Sequence, residues 1–75
     1  MMKKTLKSFK TGEKGKIVEL RGGKEFQRRL KKRGVMVGKE VRVIAKQPHG
    51  PVVIENGSCK LTIGRNMAKK IYMQK

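Results

Sequence analysis

Aspartate and tryptophan are absent from this 75-residue chain, histidine and cysteine occur once each, and five glutamates face 21 lysines and arginines. Each shortage excludes something. Glu13, Glu19, Glu25, Glu40 and Glu55 are scattered with no paired spacing that suggests an acid and a base, so the chain reads as non-enzymatic. A single cysteine, Cys59, permits no internal disulfide, and the default setting is a reducing cytoplasm. A structural zinc site needs a full tetrahedral ligand set. Here His49 in a proline-flanked loop and Cys59 at the start of a strand have no CxxC or HxxxH companion, so no metal site and no cofactor is expected. On that reading His49 is a solvent-facing turn residue and Cys59 a small buried hydrophobe. Gly12-Glu13-Lys14-Gly15-Lys16 lacks the spacing of a phosphate loop.

Long apolar runs are missing too. The opening Met-Met-Lys-Lys-Thr-Leu-Lys-Ser-Phe-Lys has the positive start of a signal peptide without its apolar core. No segment approaches the roughly 20 apolar residues of a membrane span, so no direct membrane insertion is expected. Phe9, Phe26 and Tyr72 are the only aromatics and lie far apart, which leaves no platform for stacking single-stranded bases. What the chain does have is charge: a formal +16, which attracts nucleic acid, acidic membrane and acidic protein surfaces alike, or simply solvates a lysine-rich exterior. Its length fits one domain over 1–75, burying about 60 to 65% of its unfolded surface.

Strand signals recur at short intervals. Residues 15–21 carry Ile17 and Val18 after a Thr-Gly-Glu-Lys-Gly turn region. Over 39–46, Val41, Val43 and Ala45 alternate with Glu40, Arg42, Ile44 and Lys46, the pattern of a half-buried strand. Gln47-Pro48-His49-Gly50-Pro51 is a turn, 52–55 a third strand, and Asn56-Gly57 predicts a type I′ hairpin in which both residues take positive φ. Residues 59–63 then pair back, with Leu61 and Ile63 on one face. A short turn or 3₁₀ segment follows at 64–68, then a closing strand at 69–73, with Met36, Met67 and Met73 as core fillers. Five short strands that must hide their edges in so small a chain predict a mostly-β, closed or nearly closed small barrel, with one helix inserted after the first strand.

That helix is the most informative segment. From Gly23 to Gly38, Phe26 and Leu30 share one face, while Lys24, Arg28, Arg29, Lys31, Lys32 and Arg33 cover the rest of a helix over 24–33. Gly23 serves as N-cap, Glu25 meets the positive dipole end, and Gly34 is the left-handed residue that stops the helix. Six cations to one anion exceed what solubility requires. Arg28, Arg29, Lys31 and Lys32 are accordingly the candidate partner-binding residues.

Several of these motifs resemble the FeoA family of small cytosolic proteins in bacterial ferrous iron uptake. They are Arg28-Arg29-Leu30 leading to Gly34, Val35-x-x-Gly38, Glu40-Val41-Arg42-Val43, Pro48-x-Gly50-x-Val52, and above all Leu61-Thr62-Ile63-Gly64-Arg65-Asn66-Met67-Ala68-Lys69-Lys70-Ile71. In this chain Lys32-Arg33 stands where the family usually has an acidic residue and then Met or Leu. The resemblance implies an SH3-like barrel that is an accessory of the ferrous iron transporter, a membrane protein whose cytosolic domain would be its partner. A similar domain ends metal-dependent transcriptional repressors. Hence the second reading, a nucleic-acid-binding or transcription-linked SH3-like module.

Overall fold

The structure is a computed structural model and describes residues 3–75. Short strands dominate it, as the alternation and breaker pattern requires. Strand β1 (Lys4–Thr5) leads through a 3₁₀ turn at Leu6–Ser8 to β2 (Lys14–Leu20), helix α1 (Lys24–Lys32) and β3 (Glu40–Lys46). Then come β4 (Val52–Asn56), β5 (Cys59–Ile63), helix α2 (Arg65–Ala68) and β6 (Ile71–Gln74). All six strands join one antiparallel sheet in the order β1-β6-β2-β3-β4-β5. The mostly-β, SH3-like expectation holds with two refinements: there are six strands rather than five, and the sheet stays open, with β1 and β5 as its unpaired ends. The inserted helix therefore follows the second strand.

Two bulges curl this sheet around its core. One lies between Ile17 and Glu19 on β2, which pairs with β3 through Lys14–Lys16 and with β6 beyond. The other lies between Val43 and Ala45, and it corrects the period-two reading of β3. Past the extra residue, Ala45 sits opposite Val53 and is exposed, not inward. Ile44 is half-buried, and Lys46 comes opposite buried Val52, where its Nζ donates to the Phe9 carbonyl at 3.1 Å. A sequence period cannot show an inserted residue, so the alternation fails from there on.

The concave side is filled by Ile17, Val41, Val43, Val52, Ile54, Ile63, Ile71 and Met73, covered by Phe26, Leu30 and Val35 on one flank and by Leu6 and Phe9 on another. Leu6 and Phe9 are 0% and 1% exposed, so the N-terminal segment is core. The Phe9 ring lies so close over β2 that a Cβ on Gly15 would come within 2.7 Å of it, which is why a glycine occupies that buried strand position. Among the described residues no helix is long and apolar enough to cross a membrane.

The start and stop of α1 follow the sequence signals. Gln27 Nε2 donates back to the carbonyls of Leu20 and Gly22, tying the helix start to the end of β2. At the other end Val35 N–H reaches Leu30 O at 2.9 Å and Gly34 N–H reaches Lys31 O at 3.0 Å, the paired bonds of a Schellman stop, with Gly34 at φ +83°. The β4–β5 turn differs from its expected form. Asn56 pairs with Cys59 inside the ladder, leaving Gly57 and Ser58 as the loop, and only Gly57 has positive φ, as in a type II′ turn. Asn56 is spared from the turn for another contact.

Candidate functional site

Helix α1 presents three differently employed sides. Phe26 and Leu30 are buried on the core side. Arg28, Lys31 and Lys32 point away from it into solvent, and Arg28 is engaged by Glu25 at 2.8 Å one turn earlier. Arg29 and Arg33, four residues apart, flank the buried stripe and form one lip of a surface groove of about 280 Å³. Phe26, Leu30, Leu61, Ile63 and Met67 supply its apolar floor and opposite wall. The four expected binding residues are thus divided: Arg29 belongs to the groove, while Arg28, Lys31 and Lys32 form the adjoining outer face.

The groove's far wall comes from β5 and α2, which the sequence reading assigned to packing. Leu61 and Met67 are only half-buried, and Gly64 N-caps α2 while also lining the groove. The one usable signal was Leu61-Thr62-Ile63-Gly64 running straight into Met67. Alternation placed Leu61 and Ile63 inward but could not show that they face the helix.

The glutamates leave the Arg29–Arg33 side of the groove and the helix end unneutralised. Glu13 pairs with Lys75, Glu19 with Lys3 and Arg21, Glu25 with Arg28, and Glu40 with Lys14 at 3.7 Å. No ion pair among the described residues involves Arg29, Lys31, Lys32 or Arg33. The carboxyls with perturbed titration lie elsewhere. The Lys10 backbone N–H, at 2.7 Å from its Oε1, and then Lys75 hold Glu13 below the usual carboxylate value, and Arg21 followed by Lys3 does the same for Glu19.

The aromatic side chains are all employed. Phe9 and Phe26 are buried, and Tyr72 is covered by Arg21 and Lys3, whose charged groups lie 4.6 and 5.3 Å from its ring centre. His49 is exposed in its loop. Cys59 is exposed as well, which corrects the expectation of a buried thiol: it faces outward at the start of the terminal strand. Among the described residues no group of three or more His, Cys, Asp or Glu side chains converges on a point.

Comparison with known proteins agrees with this architecture. The family model described as the FeoA domain matches residues 4–75. A protein of Methanocaldococcus jannaschii, provisionally named Fe(2+) transport protein A, is 32% identical over 65 residues, covering 87% of this chain and 78% of the relative. The crystal structure of an iron uptake regulatory protein (FeoA) superposes with a TM-score of 0.89 at 27% identity, over 97% of both chains. A manganese-dependent transcriptional repressor shares the fold, with a TM-score of 0.85 at 18% identity, over 95% of this chain and 40% of its own. With nearly its full length matched by the family model and a relative above 30% identity, this chain belongs to the FeoA family.

Proposed function

We propose that this chain is an accessory of ferrous iron uptake that regulates the membrane iron transporter by docking on its cytosolic domain, doing no chemistry of its own. On this reading residues 1–75 act as one module in the cytoplasm. The observation that carries it is the groove between α1 and β5: apolar within and lipped by Arg29 and Arg33, which no glutamate neutralises. Such a surface suits a protein partner with apolar side chains set among carboxylates. The outer helix cations Arg28, Lys31 and Lys32 extend the positive field and steer an acidic surface toward it. The test is biolayer interferometry of the full chain against the cytosolic domain of the ferrous iron transporter encoded in the same genome, near physiological salt. Saturable binding is expected; its absence would remove the transporter as partner.

The repressor likeness and the +16 charge favour a second reading, a nucleic-acid-binding or transcription-linked module. Base stacking finds no free ring here, since Phe9 and Phe26 are buried and Tyr72 is covered by Arg21 and Lys3. Binding through phosphates alone would fall steeply with salt. Electrophoretic titration with duplex and single-stranded DNA decides: retention that survives physiological salt would favour this second reading.

A further inference from the structure

Three consecutive residues of β5, Leu61 to Ile63, line the groove. Side chains on a strand alternate between faces, so an unbroken run can line a cavity only along the strand's edge, where the backbone itself is presented. Strand β5 is the end of the sheet, and that edge carries no further strand. The hairpin register settles which backbone groups are free. A two-residue loop makes Asn56 and Cys59 a hydrogen-bonded pair, so Ile54–Leu61 and Val52–Ile63 are bonded as well, and the N–H and C=O of Lys60 and Thr62 point away from β4. Among the described residues neither finds a backbone partner elsewhere.

From this juxtaposition we propose that the groove takes its partner by strand addition. An extended acidic segment pairs with the open edge of β5 through Lys60 and Thr62. Its apolar side chains, on one face, enter against Phe26, Leu30 and Met67, and its carboxylates meet Arg29 and Arg33. The charge selects the occupant. A second copy of this chain would bring +16 against +16, whereas an acidic strand is drawn in by the same field. This inference deepens the docking reading and rests on it for the partner's identity only.

The test uses a fluorescein-labelled, acetylated hexapeptide of alternating glutamate and leucine, and two versions of it N-methylated either on the glutamate amides or on the leucine amides. In a strand these two sets of amides point to opposite edges, so strand addition predicts that one methylated peptide binds the full chain as the parent does. The other should lose about tenfold or more, the loss of one to two hydrogen bonds. Equal binding of all three peptides, equal loss by both methylated ones, or no saturable binding by the parent would each overturn the proposal. On the protein side, Thr62→Pro removes an outward N–H that the β4 ladder does not use, and should weaken the parent peptide similarly. If that variant fails to fold, the peptide pair still decides. A dimer in sedimentation without peptide, abolished by Thr62→Pro, would assign the edge to self-pairing instead. The transporter reading fails separately: peptide binding with the expected asymmetry but no transporter binding leaves strand addition in place. Transporter binding untouched by Thr62→Pro, with methylated peptides equal, does the reverse.

Discussion

The side-chain amide of Asn56 holds the end of helix α1, its Nδ2 donating to the Gly34 carbonyl at 2.8 Å with the Arg33 carbonyl 3.4 Å away. This contact joins the two walls of the groove, because Asn56 closes the β4–β5 hairpin while Arg33 and Gly34 end the helix that carries Arg29. The spacing between Arg29 on one side and Leu61 on the other is therefore set by a tie between elements over twenty residues apart in the chain.

Gly34 resists substitution on two counts. Its φ of +83° is strained for any side chain, and an added Cβ would run into Asn56 Nδ2. Gly34→Val should cost about 1 to 2 kcal/mol or more, and Asn56→Ala, which strips the donor but leaves the stop intact, about 1 kcal/mol. Urea denaturation followed by circular dichroism measures both. An unchanged midpoint for Gly34→Val would mean that the helix end is not held as described.

Acid should weaken the turn between the 3₁₀ segment and β2. Glu13 titrates below the ordinary carboxylate value of 4.5 because it accepts the Lys10 N–H and pairs with Lys75. A carboxyl with a depressed folded-state pKa contributes stability that is present above that ordinary value and is lost as pH falls below it toward the folded-state pKa. Urea midpoints for the native chain and Glu13→Gln should therefore differ at neutral pH and draw together as pH falls below 4.5, at fixed ionic strength. A difference that stays constant across that range would contradict the assignment.

The purified, tag-free chain should hold no transition metal tightly. His49 and Cys59 are exposed, and neither belongs to a group of three or more candidate ligands among the described residues. Isothermal titration with Fe²⁺ or Zn²⁺ is expected to show no saturable site in the low micromolar range. A stoichiometric site that vanishes in His49→Ala or Cys59→Ser would overturn this and turn the function toward metal sensing.

Local chemistry was legible in the sequence wherever one residue decides one conformation. Gly34 stops the helix because only glycine sits easily at positive φ, and Phe26 and Leu30 mark its buried stripe because they alone are apolar there. Tertiary choices were not legible. Leu6 and Phe9 lie in a lysine-rich segment with no period, so nothing local announces that they are core, and β1 is too short to leave a pattern. The bulge after Val43 turns Ala45 outward without any sequence mark. Asn56-Gly57 reads as a hairpin pair, yet Asn56 stands in the ladder opposite Cys59 with its side chain bonded to Gly34, and the turn falls one residue later. For the candidate site, charge singled out α1 but could not separate Arg29 on the groove lip from Arg28, Lys31 and Lys32 outside it. The opposite wall was invisible because Leu61 and Met67 look like ordinary core.

The central claim is that an acidic partner surface docks on the α1 side of the groove, and the association rate of a charge-reversed chain tests it most directly. Arg29→Glu with Lys32→Glu changes two exposed, unpaired cations, and folding should stay within about 0.5 kcal/mol per substitution, as circular dichroism will verify. Measured by surface plasmon resonance against the transporter's cytosolic domain, the folded double variant should associate about tenfold or more slowly near physiological salt, with a much smaller change in dissociation. The difference should shrink as the Debye length falls to roughly 3 Å at 1 M salt. An association rate equal to that of the native chain would contradict the account and return the basic helix to a merely solvated face.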